Sequence, residues 1–198
     1  MKLKPNVIGI SGVAGSGKDT FADLIGCKLL ERLDAKVKFL SFAERLKREV
    51  KDISLELYDI DPTSCSREEK TLIRPLLLAH GAIMRDKTKG RYWIDSIKNK
   101  IDSKKINIIT DVRFSEYSCD EVFWIKTEMN GILIHISRFF EENGQRVYIQ
   151  PANEYEKRND ETLKSKADYS FAWPTDKTKQ NKYSSDFMKW IFKNHVEH

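Results

Sequence analysis

The chain reads Gly12-Val13-Ala14-Gly15-Ser16-Gly17-Lys18-Asp19-Thr20 directly after the short apolar run of residues 7–10. This order predicts a buried strand that turns through a glycine-rich loop into a helix. Glycine adopts backbone torsions that other residues avoid, so successive N–H groups can converge on one anion. The positive end of the helix and the Lys18 ammonium would add charge for the β- and γ-phosphates of a nucleotide. We therefore expect an α/β fold with a phosphate-binding loop, rather than a glycine-rich turn without a ligand.

The residue after Lys18 departs from the general form of such a loop. A Ser or Thr usually stands there and holds Mg²⁺ through its hydroxyl, whereas this chain has Asp19 followed by Thr20. A carboxylate is also a competent hard-oxygen ligand. Asp19 and Thr20 are therefore the metal candidates, and the sequence leaves open which of them contacts the ion.

Length and charge narrow the class of protein. The chain has 198 residues, 40% of them hydrophobic and 33% charged, with a formal net charge of +5. This is enough for one well-buried soluble domain with an insertion. The positive charge suits an anionic partner. Nucleotides fit, and nucleic acid is not expected because no basic run is interleaved with aromatic residues.

Cysteine usage and hydropathy indicate a cytoplasmic protein. Cys27, Cys65 and Cys119 are odd in number, far apart and without CxxC spacing, which is typical of reduced thiols. The apolar run near the N-terminus is too short and too rich in glycine for a signal peptide. No segment approaches the ~20 apolar residues of a membrane span, so no membrane partner is expected.

The pattern along the chain alternates strands with helices. Strands are predicted at 7–10, 37–41, 106–110, 132–136 and 169–172, and helices at 17–33, 44–57, 67–84, 92–101, 117–126, 154–164 and 185–194. Four of the strands are apolar on both faces, which predicts a five-stranded parallel sheet between two helical layers. Residues 138–153 are polar and predicted to be mobile, and Lys177, Lys179 and Lys182 are predicted to lie in a solvated loop.

Five motifs in this order resemble those of phage-type deoxynucleoside monophosphate kinases, within the wider nucleoside monophosphate kinase group. They are Ser11-Gly12-Val13 through Lys18-Asp19-Thr20; Ser41-Phe42-Ala43-Glu44-Arg45-Leu46-Lys47; residues 74–81 with Arg85 and Trp93; Asp111-Val112-Arg113-Phe114; and His135-Ile136-Ser137-Arg138. The chain departs from the family after Phe114, so the acidic residue expected there is either Glu116 or Glu121. The family's histidine motif before the last strand is reduced to Asn153-Glu154.

The resemblance implies a P-loop kinase of one domain, residues 1–198. It implies a helical acceptor-binding region at 44–101 and a mobile, lid-like segment at 138–160. The implied activity is transfer of the ATP γ-phosphoryl group to a deoxynucleoside 5′-monophosphate, with ATP and Mg²⁺ as cofactors and small nucleotides as partners. A viral protein of this family would act in the host cytoplasm. Whether the chain forms a homodimer stays open.

The chemistry of phosphoryl transfer suggests which residues take part. It requires alignment and neutralisation of charge rather than a general base, because the acceptor phosphate is already an oxyanion. The catalytic candidates are Lys18, Asp111, Arg113 and Arg138. The resemblance implies an acceptor site of Phe42, Ala43, Lys47, Arg74, Gly81, Arg85, Trp93, Asp111, Arg113 and Glu116. Structural alternatives stay open: Asp111 as a helix cap, Arg74 and Arg85 as surface residues, and Trp93 as a core aromatic.

Other functions fit the sequence less well. Asn99-Lys100-Ile101-Asp102 matches the guanine-reading string of GTPases, but it ends a predicted helix instead of following a strand. A P-loop kinase for another phosphorylated acceptor is the nearer rival, since animal-type phosphomevalonate kinases share similar motifs. A nucleic-acid end kinase and a non-catalytic nucleotide-binding module are the remaining alternatives.

Overall fold

The computed structural model describes residues 2–197. The strands are β1 (Lys2–Leu3), β2 (Val7–Ser11), β3 (Val37–Leu40), β4 (Ile106–Val112), β5 (Ile132–Glu142), β6 (Gln145–Tyr148), β7 (Tyr169–Pro174) and β8 (Val196–Glu197). The α-helices are α1 (Lys18–Leu33), α2 (Ala43–Glu49), α3 (Lys51–Tyr58), α4 (Arg67–Leu72), α5 (Arg74–Thr88), α6 (Arg91–Lys98), α7 (Glu121–Phe123), α8 (Glu154–Lys166) and α9 (Lys177–His195). A π-helical segment, Trp124–Glu128, continues α7. Across these residues no helix has the length and hydropathy needed to cross a membrane.

The central sheet confirms the five parallel strands predicted from the sequence. Their order is β3-β4-β2-β5-β7. An additional strand, β6, pairs antiparallel with the end of β5. Phe139 of β5 pairs with Tyr148 of β6 and with Pro174 of β7, so β6 and β7 lie on opposite sides of β5. β6 therefore occupies the side of β5 that also holds β2, beyond the carboxyl end of β2.

Helices cover both faces of the sheet, which gives the three layers predicted from the sequence. Alternate residues of a strand point to opposite faces. Ile8 and Ile10 of β2 belong to a large core that includes Phe21 of α1 and Phe187 of α9. On the other face Gly9 lies against the π-helical segment, where a Cβ would stand only 2.6 Å from the Ile125 side chain.

The chain forms two compact units. The first contains the sheet and comprises the residues up to Leu40 and those from Ile101 onward. The second, Ser41–Lys100, contains α2 to α6 and has a small apolar core of its own. The buried members of that core are Val50, Ile60, Ile73 and Leu77.

Four local predictions require correction. The predicted helix at 44–57 is divided into α2 and α3 at Val50, and the predicted helix at 67–84 is divided into α4 and α5 at Ile73. The predicted helix at 117–126 begins later, at Glu121, and soon becomes π-helical. The loop predicted around Lys177, Lys179 and Lys182 is instead the start of α9, because the Asp176 side chain caps the helix by accepting the backbone N–H of Thr178 at 3.0 Å.

The polar segment after residue 137, predicted to be mobile, contains a strand pair that the sequence did not indicate. Strand β5 continues to Glu142, and β6 returns beside it as a hairpin. The turn consists of Asn143 and Gly144, with φ values of 50° and 76°. Two central residues with positive φ are typical of the tight turn that suits the twist of a hairpin.

Candidate functional site

The loop of residues 12–17, called the glycine loop below, leaves the carboxyl end of β2. Gly12, Gly15 and Gly17 have φ values of 138°, 81° and 87°, a region that other residues rarely adopt. A Cβ on Gly12 would stand 2.2 Å from the carbonyl oxygen of Ile136. Both the torsion and the close approach to β5 therefore require glycine at position 12.

Trp173 of β7 packs against the backbone of the glycine loop at Ser16 and Gly17. Its indole is fully buried, and Nε1 donates to the carbonyl oxygen of Ser16 at 2.7 Å. A Cβ on Gly17 would stand 2.7 Å from the same indole, so the glycine allows the ring to lie directly against the backbone. The contacts with Trp173 thus define the shape of the loop.

Lys18 opens α1 and folds back over the glycine loop. Its ammonium Nζ donates to the carbonyl oxygens of Gly12 and Val13, at 2.7 and 2.9 Å. Burial, and to a smaller extent the nearby Arg113, lower the pKa of Lys18 from 10.5 to about 8, while Asp19 and Asp111 act in the opposite direction. The sequence-predicted residues Lys18, Asp19, Asp111 and Arg113 are therefore near one another.

Asp111 and Arg113 lie where β4 ends, and Glu121 fixes the turn that follows. Its buried carboxylate accepts the backbone N–H groups of Arg113 and Phe114, at 2.6 and 3.1 Å. The sequence left Glu116 and Glu121 as alternatives for the acidic residue of this motif. Glu116 instead accepts hydrogen bonds from α8, so only Glu121 shapes the turn that carries Arg113.

Arg138 of β5 contacts the backbone of the glycine loop at Gly15. Nη1 donates to the carbonyl oxygen of Gly15 at 3.2 Å, and Nη2 donates to that of Thr175 at 3.4 Å. Its Nε is buried and has no hydrogen-bond partner among residues 2–197. Because a buried unpaired donor is costly, this guanidinium is suited to an additional acceptor such as a phosphate oxygen.

Glu156 of α8 is a site residue that the sequence analysis missed. Its Oε1 accepts the backbone N–H of Ala14 at 3.0 Å, across 142 residues of sequence. One local signal was present: Asn153 stands three residues before Glu156, the spacing of a capped helix start. Asn153 does cap α8, by accepting the Glu156 backbone N–H at 2.8 Å.

His135 is a buried histidine of the central sheet. It is fully buried in β5, and its Nε2 lies 3.0 Å from Oδ1 of Asp160 in α8. Asp160 also borders a cavity of about 430 Å³ beside Val13. The His135–Asp160 pair therefore connects the sheet to α8 close to the glycine loop.

The remaining predicted acceptor residues lie in the second unit. Arg74 is exposed at the start of α5, whereas Arg85 of the same helix is buried. Phe42 and Trp93 are buried as well, and Nε1 of Trp93 donates to the carbonyl oxygen of Gly81 at 3.2 Å. Ala43 and Lys47 lie on α2 and are partly buried. Their roles toward an acceptor stay predictions.

A polar cluster joins α2, α5 and α6 within this unit. Glu49 accepts hydrogen bonds from Arg45 and Tyr92, both at 2.6 Å, and lies 2.8 Å from Nε2 of His80. The hydrogen bonds to Glu49 raise the pKa of Tyr92 and help to lower that of the Glu49 carboxyl against its partial burial. The cluster fixes the helices that carry Lys47, Arg85 and Trp93.

The residues around Lys18 fit a magnesium ion in their chemistry. Asp19 and Thr20 are exposed in the first turn of α1, and Asp111 is partly buried at the end of β4. Mg²⁺ is usually held by one or two carboxylates together with phosphate oxygens and waters. Asp19, Thr20 and Asp111 offer oxygen donors of this kind.

No protein-family model matches the chain, and no curated protein matches it. Solved structures to which the chain shows some similarity include a dephospho-CoA kinase from Campylobacter jejuni, with a TM-score of 0.39, 15% identity, and coverage of 95% of this chain and 98% of that one. A second is a shikimate kinase from Acinetobacter baumannii in complex with shikimate, with a TM-score of 0.41 and 16% identity; the match covers 96% of this chain and 95% of that one. A third is Chaetomium thermophilum Kti12 in complex with ADP-AlF3, with a TM-score of 0.45 and 13% identity; the match covers 96% of this chain and 100% of that one.

Proposed function

We propose that this protein is a P-loop phosphotransferase that moves the γ-phosphoryl group of ATP to a deoxynucleoside 5′-monophosphate. The observation that carries the proposal is the position of Lys18. Its buried ammonium is held over the glycine loop by two carbonyl oxygens of that loop, and the charges of Asp111 and Arg113 reach it. These residues gather at the carboxyl edge of a parallel sheet, where open α/β folds bind ligands.

The arrangement supplies what phosphoryl transfer requires. Arg113 directly follows β4, and Arg138 lies within β5 and contacts the glycine loop, so two guanidinium groups flank the position proposed for the phosphates. Arginine suits this task because its planar fork donates two parallel hydrogen bonds to phosphate. Lys18 would neutralise charge on the transferred group, and the backbone N–H groups of the loop would orient it.

Mg²⁺ would supply positive charge that offsets the negative charge developing on the phosphates during transfer. Asp19 and Thr20 are the residues proposed to hold it, with Asp111 near them. Which of the two contacts the ion directly can be tested by measuring the Mg²⁺ dependence of Asp19→Asn and Thr20→Ala separately.

The nucleotide acceptor is supported by the motifs of residues 41–47 and 74–93. A base that stacks on an aromatic side chain gains about 1–3 kcal/mol, by analogy with single-stranded nucleic acids. Phe42 and Trp93 are both buried in the second unit, at 5% and 4% exposure. Stacking on either ring therefore requires local opening of α2 or α6 when the acceptor binds.

A panel of acceptors with ATP and Mg²⁺ tests the proposal. Deoxynucleoside and ribonucleoside monophosphates and mevalonate 5-phosphate are supplied at equal concentration, and the products are separated by ion-exchange chromatography. We expect a deoxynucleoside diphosphate and ADP in equal amounts. Turnover of mevalonate 5-phosphate alone would contradict the nucleotide acceptor, and hydrolysis of ATP without any phosphorylated acceptor would contradict a kinase.

A further inference from the structure

One contact joins the glycine loop to helix α8 and has no part in the proposed transfer. Oε1 of Glu156 accepts the backbone N–H of Ala14 at 3.0 Å, and Oε2 accepts that of Ala152 at 2.7 Å. Asn153 caps the same turn through the Glu156 backbone. A single carboxylate therefore fastens the start of α8 to the loop.

The position of this carboxylate conflicts with that of a bound phosphate. Backbone N–H groups of a glycine-rich loop are the donors that such loops offer to anions. One of them, on Ala14, already has an anionic partner from the chain itself. The Glu156 charge also reaches the Lys18 ammonium, so the carboxylate lies within the field that would attract a nucleotide.

We infer that Glu156 competes with the nucleotide's phosphates for the glycine loop. The Glu156 carboxylate acts as a latch that holds α8 on the loop, and it leaves the backbone N–H of Ala14 when phosphates bind. The inference rests on the proposed function only in placing nucleotide phosphates on this loop. Phosphate binding then releases the start of α8, so that donor binding and the position of this helix are coupled.

The direct test compares Glu156→Gln with Glu154→Gln. The two glutamates belong to the same first turn of α8 and both changes remove one negative charge, but Glu154 is 90% exposed and pairs with Lys157 at 3.7 Å. Binding of pyrophosphate and of ATP is measured by calorimetry without an acceptor. Because removal of a carboxylate beside an anion site removes repulsion, we expect Glu156→Gln to bind pyrophosphate about tenfold more tightly. Glu154→Gln should stay within about twofold of the unmodified chain.

Thermal unfolding shows whether the Glu156→Gln chain is folded. Its affinity for pyrophosphate then shows whether Glu156 competes with phosphate or supports the shape of the loop. Unchanged or weaker pyrophosphate binding by a folded Glu156→Gln chain would overturn the inference, because Glu156 would then hold the loop in its binding shape. A measurement on the unmodified chain does not depend on the variant: amide exchange at Ala152 should become faster when pyrophosphate is added. Exchange that is unchanged or slower would overturn the inference.

The same data distinguish this inference from the proposed function. A chain that binds ATP with the expected Glu156 effect but phosphorylates no acceptor would retain the latch and contradict the kinase. A chain that binds neither pyrophosphate nor ATP would contradict both.

Discussion

Trp173 lies directly against Gly17, and a Cβ added to that glycine would stand 2.7 Å from Cζ2 of the indole. The same ring donates its N–H to the carbonyl oxygen of Ser16 at 2.7 Å. The last parallel strand therefore fixes the point at which the glycine loop enters α1. Because Lys18 follows immediately, the direction of its side chain depends on this contact.

Gly17→Ala should therefore be more destabilising than the same change at a glycine without neighbours. Gly144 is the matched control, because its φ of 76° is also positive and nothing lies within 4 Å of its Cβ position. Gly144→Ala should lower the free energy of unfolding by about 1–2 kcal/mol through backbone strain. Gly17→Ala should add about 1–3 kcal/mol for overpacking against Trp173. Denaturant unfolding measures both, and equal losses would contradict the contact.

Lys18→Ala should nearly abolish transfer while the chain stays folded. Loss of a charge directed at the transferred phosphoryl group costs on the order of 10²–10³ in rate. Lys189→Ala serves as the control, since that side chain is 76% exposed on α9 and pairs with Asp186. Initial rates are compared at saturating ATP, and circular dichroism checks the fold. A Lys18→Ala chain that retains more than half of the turnover would contradict the assignment.

The lowered pKa of Lys18 predicts proton uptake on nucleotide binding. With a pKa of about 8, the side chain of the free protein loses its charge as the pH rises through 8. Bound phosphates favour the charged form and raise that pKa. At pH 8.5 binding should therefore take up a proton, and affinity should fall as the pH rises further. Calorimetry in two buffers of different ionisation enthalpy measures the uptake.

Lys18→Arg provides the control for this measurement, because a guanidinium stays charged over the whole range. Nucleotide binding by the Lys18→Arg chain should involve no proton uptake at this side chain. Equal uptake by both chains would assign the proton to another group and contradict the prediction.

Arg113→Gln should slow transfer by about 10²-fold with little loss of stability, because the side chain is exposed and its charge acts at the site. The change should also raise the pKa of Lys18, since Arg113 helps to lower it. Proton uptake would then move to higher pH. Arg48→Gln is the control, an exposed arginine of α2 that pairs with Glu44. An Arg113→Gln chain with normal turnover and an unchanged pH profile would show that the residue is not directed at the phosphates.

Features carried by contiguous residues were predictable from the sequence. The glycine loop and the five parallel strands follow from apolar runs bounded by glycine and polar residues, and the structure has them in the expected order. The β5–β6 hairpin was missed because its exposed residues show no apolar alternation. Asn143-Gly144 was a usable signal, as this dipeptide favours the two-residue turn that the structure contains.

Contacts between distant residues could not be predicted in this way. Glu156 meets Ala14 across 142 positions, so no local pattern reports the pair. The choice between Glu116 and Glu121 likewise depends on where α7 begins. Asp120 fixes that point, because its buried side chain accepts the backbone N–H of Glu121 at 3.0 Å.

The hairpin has a consequence for how copies of this chain meet in solution. Within the described residues β6 ends the path of paired strands on its side of β5, and a free strand edge can accept a strand from a second molecule. This edge is only four residues long, and the guanidinium of Arg146 lies over the ring of Phe139, 4.5 Å from its centre. Short length and a fixed positive charge both disfavour the addition of a strand. Strand β6 is therefore a poor edge for pairing with a strand of a second copy of this chain.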